Sequence, residues 1–417
     1  MTVVPKGWLV KPLGEVADTQ LGKMLNRSNQ VGDSTIQYLR NVNVQWGRVD
    51  LTDVKQMDIY PDEVEKFTAQ PGDLLVCEGG ESGRAAIWTG LTPIGIQNAL
   101  HRVRPKDELL TRYLYYYFEW QAKSKLLDHL FSGVTITHFT QEKLRKMLVQ
   151  YPPIQEQKRI VEALDDHLSR LDKALADSEY SATATRRFSS SLLHAMFSGD
   201  LMKDELGIQD INPVELAAVA DVQSGGTPKG LDRITSEAES ETHKVPFYKV
   251  GDMNRDARYM KSSRSYLTET DVDSLGLKVI PTGSVIFPKA GGAIATDKKR
   301  LVQVPGPIDL NCMAVIPGAK MLPSYLAWFF DSFKLSDLSN GSILPQIGKT
   351  AVMQVRLPCP SLSEQEAVVQ YLEENISKVR AQVQSIEGVA SSIATLRRSI
   401  LNDAFSGRLV DRDSSEQ

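Results

Sequence analysis

The sequence predicts an α+β protein: two mixed units of short strands and few helices, separated by two long α-helices packed as an antiparallel coiled coil, with a pseudo-two-fold plan. Three observations predict it. The stretch Pro152–Leu201 recurs near the end of the chain. Each copy carries an unbroken helical seam. The segment before each copy runs through the same order of turns, strands and helix.

The first copy runs from Glu156-Gln157 to Phe197-Ser198-Gly199 and the second from Glu364-Gln365 to Phe405-Ser406-Gly407, an offset of 208 residues at both ends. A unit repeated twice at so long a period is a duplicated module and not a solenoid. In the first copy Val161, Leu164, Leu168, Leu171, Leu175, Ser178, Ala182, Thr185, Ser189, Leu192 and Met196 fall alternately three and four apart. In the second, Val369, Leu372, Ile376, Val379, Val383, Ile386, Ala390, Ile393, Arg397, Ile400 and Ala404 do the same. That is the seam of a coiled coil. No Pro or Gly interrupts residues 154–198, and the second copy carries only Gly388. Prolines 152, 153, 358 and 360 precede the helices, Ser363 with Glu366 offers a capping box, and Gly199 and Gly407 suit the left-handed residue after a helix end. Roughly 43 residues at about 1.5 Å each make a rod of about 65 Å. Two arrangements fit such rods: each packs on its own globular segment, or the two pack on each other. Equal length and shared register favour the second, and Leu164, Leu168, Leu171, Leu175, Leu372, Ile376, Val379 and Val383 are the residues expected at a subunit interface.

The organisation expected is a globular unit at 1–150, a helical spacer at 151–206, a second unit at 207–357 and a second spacer at 358–417. Within the units the parallel is weaker but ordered. Leu13–Asp18 and Leu216–Asp221 read as short helices leading to Gly-bearing loops, Gly22-Lys23 and Gly225-Gly226. Extended runs follow at Gln37–Arg40 and Pro246–Lys249. A Pro/Gly turn then feeds an apolar strand, Leu74–Val76 or Val285–Phe287, which ends in a Gly-rich loop, Glu78–Arg84 or Pro288–Gly292. Asn98 and Asn311 open further strands. An aromatic helix follows each, Tyr113–Trp120 or Tyr325–Phe330, whose spacing is that of core. Each unit closes on a Ser/Gly loop, residues 132–135 or 340–343.

The chain of 417 residues has a net charge of −4, which counts mildly against a polyanion partner. Residues 1–150 hold 18 basic and 17 acidic side chains and residues 207–357 hold 17 and 16, whereas 151–206 hold 7 against 10 and 358–417 hold 6 against 9. The acidic excess sits on the rods, so a DNA-binding face would be a local patch on a balanced unit. The three scattered cysteines fit a reducing, cytoplasmic setting and argue against a disulfide framework. No hydrophobic signal segment opens the chain, and its most apolar window, Tyr325–Phe330, is far too short to span a membrane.

The duplicated Glu-Gln…Phe-Ser-Gly-x-Leu helices, the paired Val-Ala-Asp openings at 16–18 and 219–221, and the Phe287-Pro288-Lys289 to Gly292 loop resemble the specificity (S) subunits of type I restriction–modification systems. The resemblance covers nearly the whole chain. It implies two target-recognition domains, each reading one half of an asymmetric bipartite site in double-stranded DNA. It also implies antiparallel helices that fix the spacing and dock two methyltransferase subunits, with restriction subunits joining through them. No catalysis, cofactor or metal is implied for the chain itself. Glu78 departs from the family's loop, where the second unit has Lys289; a phosphate contact does not suit it, while an acceptor aimed at cytosine does.

Readout of DNA needs Arg or Lys for guanine, Asn or Gln for adenine, and backbone or Lys for phosphate. The loop-borne candidates are Lys23, Arg27, Arg40, Asn43, Arg48, Arg84, Thr135 and His138 in the first unit. In the second they are Thr227, Lys229, Lys249, Asn254, Arg255, Lys289, Ser342 and Gln346. Arg84 and Lys289 stand out because glycine neighbours let backbone approach a phosphate. Arg397-Arg398 on the rod is expected to be solvated or to meet a partner. Enzymatic motifs fail: Gly348-Lys349-Thr350 lacks the earlier glycine of a phosphate loop, since Ile343 stands there, and no Gly-x-Gly-x-x-Gly occurs. The reading from another class is a coiled-coil scaffold whose globular units bind protein. A nuclease based on Asp53-Val54-Lys55 is weaker still.

Overall fold

The computed structural model describes residues 4–25, 32–128, 138–209, 211–231, 234–341 and 344–410. The chain forms two compact units, one of residues 1–179 with 387–417 and one of residues 180–386. These units cut across the four consecutive segments expected from the sequence. Each takes the start of one long helix and the end of the other.

The long helices are Ile154–Ser198, of 45 residues, and Leu362–Phe405, of 44. No residue of either predicted seam is exposed. In the N-terminal unit Leu401, Ala404 and Phe405 join Ile160, Leu164 and Leu168 in one core with the globular part. In the second unit Leu192, Leu193 and Met196 meet Val368, Val369, Leu372 and Ile376 in the same way. High numbers on one helix face low numbers on the other in both units, so the pair runs antiparallel. The two arrangements open from the sequence therefore combine: the rods pack on each other and on the globular cores. Gly199 and Gly407 take φ values of +97° and +72° past the helix ends, as expected. The capping box falls elsewhere. Ser361, not Ser363, caps the second helix, with its N–H and hydroxyl donating to Glu364 at 2.8 and 2.6 Å. The preceding strand ends at Pro358 and the helix opens at Leu362, one residue after Ser361.

Each unit holds an antiparallel sheet of one strand order. In the first it is Ala17–Leu21, Leu100–Pro105, Leu74–Cys77, Ala85–Ile87. In the second it is Ala220–Ser224, Cys312–Pro317, Val285–Pro288, Arg300–Val302, with Tyr259–Met260 added parallel at the edge. The short opening helices stop at Val16 and Ala218, and Asp18 and Asp221 already lie in the first strands. A two-stranded ribbon closes each unit beside its helix, Leu9–Pro12 with Leu148–Tyr151 and Pro213–Glu215 with Arg356–Pro358.

The aromatic helices Thr111–Lys123 and Pro323–Asp331 are core elements, with Tyr113 to Trp120 and Tyr325 to Phe330 buried throughout. The duplicated motif is explained here. The Gln157 amide donates to Glu108 O and Pro152 O and accepts from Leu110 N, fixing the start of the first aromatic helix. Gln365 makes the same three bonds with Lys320 O, Pro360 O and Leu322 N. The closing phenylalanines serve the other partner. Phe405 packs on Tyr113, Tyr117 and Trp120, and Phe197 on Tyr325 and Phe329.

Candidate nucleic-acid interface

In each unit four loops converge on one edge of the sheet, held by backbone hydrogen bonds. The strand Leu74–Cys77 runs out into the loop Glu78–Arg84. Glu78 N donates to Ala99 O at 3.0 Å, and Phe139 N donates to Glu78 O at 2.7 Å. The Asn41 amide donates to Gly79 O at 3.1 Å, which adds a further loop in this unit beyond the shared four. Asn98 N donates to Lys23 O at 3.0 Å, which ties in the fourth. In the second unit Lys289 N donates to Asn311 O and Ile347 N donates to Lys289 O, both at 2.8 Å. Gly291 N bonds Pro345 O, and Thr227 Oγ1 accepts from Leu310 N. Glycine is required where two of these loops touch: a Cβ on Gly22 would sit 2.4 Å from the Gln97 backbone, and one on Gly225 2.0 Å from Asp309 O.

The predicted contact residues divide into those exposed at such loops and those bound into the fold. Arg48, His138, Thr227, Lys229, Asn254, Arg255 and Gln346 are exposed, and Lys289 is half-buried. Arg255 reaches Ser262 Oγ at 3.1 Å, and the side-chain Oδ1 of Asn254 accepts from Lys298 Nζ. Lys23 pairs with Glu63 at 2.5 Å and holds that carboxyl below its usual range. Arg40 pairs with Asp53 at 2.6 Å, with the same effect on Asp53. Arg84 donates to Asn41 O at 3.0 Å and leans on Glu81. Asn43 is buried and closes a turn by accepting from Arg40 N, and Asp252 closes the corresponding turn by accepting from Lys249 N at 2.8 Å. Lys249 extends over the Phe247 ring. Arg27, Thr135 and Ser342 lie outside the described residues.

Arg300 escaped notice in the sequence. Its guanidinium donates to Met253 O and Asp256 O and so props the turn that carries Asn254 and Arg255. The run Lys298-Lys299-Arg300 was the available signal, and Lys299 is buried against Phe333 O. Glu78 is partly buried, which raises its carboxyl pKa, while His138 beside it acts in the opposite direction.

On the helices, Leu164, Leu168, Leu372, Ile376 and Val379 are buried in the chain's own cores, and Leu171, Leu175 and Val383 are half-buried. Their apolar surface closes the chain on itself. Arg397 departs from the solvated role expected of it: its Nε donates to the buried Glu119 at 2.7 Å and its Nη1 meets Asp172 at 2.5 Å. It stands at a seam position, so it faces the partner helix and the aromatic helix and not water.

The profile of the type I restriction modification DNA specificity domain matches residues 5–177 and 209–387. The specificity subunit of type I restriction enzyme MjaIX from Methanocaldococcus jannaschii is 21% identical, covering 94% of this chain and 92% of that protein. The StySPI specificity subunit from Salmonella potsdam is 22% identical, covering 98% and 90%. Among solved structures, a chain from work on complex assembly and conformational transition of the type I R-M system has a TM-score of 0.78 at 18% identity, covering 97% of this chain and 99% of that one. The HsdS subunit from Thermoanaerobacter tengcongensis has a TM-score of 0.55 at 17% identity, covering 97% and 98%. At these identities the structural likeness speaks for the fold.

Proposed function

This chain belongs to the specificity subunits of type I restriction–modification systems, and from that premise we propose that its two units read the two halves of one asymmetric bipartite DNA site. The segments 1–150 and 207–357 are the readers. The long helices set the distance between half-sites and carry two methyltransferase subunits, through which restriction subunits join. The chain contributes recognition and no catalysis, in the cytoplasm. One observation carries this reading: the same four-loop edge recurs in both units, while the side chains on it differ. A common frame with changed side chains suits two readers of different sequence.

Contact is local, because neither unit has a large basic excess. Arg48, His138, Lys229, Asn254, Arg255, Lys289 and Gln346 supply the donors and cations of the edge. The cations drawn into ion pairs, Lys23, Arg40 and Arg84, hold loops in position and reach DNA only where those pairs open. Joining two readers in one chain makes the second contact intramolecular, which raises affinity without new contacts. No described helix is long and apolar enough to cross a membrane.

Methylome sequencing of cells with the partner methyltransferase, with and without this chain, tests the proposal. An asymmetric two-part methylation motif that disappears with the chain is the expected result. An unchanged methylome beside an active methyltransferase would overturn it and leave the scaffold reading.

A further inference from the structure

Residues 78 and 289 occupy one position in two copies of a frame. Each follows the last residue of the third strand in the same sheet order, Cys77 in one unit and Pro288 in the other. Each donates its N–H to the loop that opens the neighbouring strand, Ala99 or Asn311. Each accepts, through its carbonyl, the N–H of the residue that ends the closing loop, Phe139 or Ile347. The residue just before that partner is His138 in one unit and Gln346 in the other. The backbone is thus the same, and the side chain it projects is a carboxylate in one case and an ammonium in the other.

Glu63, Asp53 and Glu81 on the same edge each form a salt bridge with a lysine or arginine, whereas among the described residues no lysine or arginine bridges Glu78 and no carboxylate bridges Lys289. His138 is the charged group that acts on Glu78. Both are half-buried and project from a Gly-rich loop. A carboxylate has acceptors only, and an ammonium has donors only. Phosphate repels the first, so backbone contact does not explain Glu78. In the major groove guanine presents the acceptors O6 and N7, which a carboxylate cannot approach. Adenine presents an acceptor beside its amino group, which suits an amide better. Cytosine presents an amino donor, which a carboxylate matches. Lysine fits the O6 and N7 acceptors of guanine.

We infer that this position is a specificity-determining one in both units: Glu78 reads a cytosine in one half-site and Lys289 reads a guanine in the other. The inference rests on the proposed DNA-reading function and deepens it. Opposite charges at one frame position make the two half-sites different at the corresponding base.

The test uses the full chain assembled with its methyltransferase subunits, and competition binding to duplexes in which each base pair of the methylated motif is changed in turn. Wild type is expected to lose roughly five- to a hundredfold in affinity when the cytosine pair under Glu78 is replaced. Glu78→Met keeps roughly the side-chain length without an oxygen acceptor and should remove that penalty at one C·G pair only. Lys289→Met should remove it at one G·C pair of the other half-site, as an independent arm with its own fold. A Glu78→Met complex that keeps every penalty would overturn the inference. So would a uniform loss across all duplexes, or relief at a pair other than C·G. Wild type without any sequence preference would instead overturn the DNA-reading proposal itself.

Discussion

Gln157 and Gln365 show what one buried side chain decides here. Each is fully buried and makes three hydrogen bonds of 2.8–2.9 Å that pin the start of an aromatic helix to the start of a long one. Replacing Gln157 by Ala leaves two carbonyls and an N–H unpaired, a cost of about 2–4 kcal/mol. Calorimetry with hydrogen exchange should find that loss in the N-terminal unit for Gln157→Ala and in the second unit for Gln365→Ala. A loss shared equally by both units would contradict the local role. His101 carries a pH dependence. It is fully buried, its Nε2 bonds Phe139 O at 2.8 Å, and burial pushes its pKa down to about 4 from 6.5. The unfolded chain therefore takes up the proton first. Stability from this group is whole above about pH 6.5 and drains by about 3 kcal/mol as pH falls toward 4. Between pH 7.5 and pH 5, His101→Gln should lose less in Tm than wild type, and equal losses would remove the assignment. At this scale the candidate site was legible only in part. Lys289 and Glu78 could be found by aligning the two loops. The engagement of Lys23, Arg40 and Arg84 could not, because Glu63, Asp53 and Asn41 come beside them only through folding.

Among the elements, the long helices were the most legible. A stripe repeating every three and four residues reports which face of a helix is apolar, and no residue of either stripe is exposed. The stripe does not say what covers that face. Arg397 stands on it and is held by Glu119 of the aromatic helix, a partner 278 residues away that no local pattern announces. The cap was misplaced because two serines, Ser361 and Ser363, each have a glutamate three residues on, and only the fold chooses between them. Gly388 is an exposed position inside the second helix with open space around its Cβ direction. Gly388→Ala should therefore stabilise the chain by about 1 kcal/mol, read as a higher denaturant midpoint with an unchanged slope. A lower midpoint would mean that the position meets something Ala obstructs.

At the scale of the molecule, the ribbons make each reader an insertion with adjoining ends. Leu9 pairs with Tyr151, and Pro213 with Pro358, so the chain enters and leaves each globular part side by side. Exchanging residues 207–357 for the corresponding segment of another family member should therefore leave the helices undisturbed and change one half of the methylated motif. A change in both halves would break that modularity. The order of globular part and helix was legible because the duplication prints it twice in the sequence. The crossed composition of the compact units was not, since it depends on contacts such as Gln150 Nε2 to Phe405 O, 255 residues apart.

That crossing sets an order of completion during synthesis. The unit that emerges first cannot close until residues 387–410, carrying Arg397, Leu401 and Phe405, have been made. The unit made later needs nothing beyond residue 386 and closes earlier. A chain halted at residue 386 should yield a protease-resistant second unit and an N-terminal unit that is cut readily. The damage from a lost tail thus falls at the opposite end of the chain.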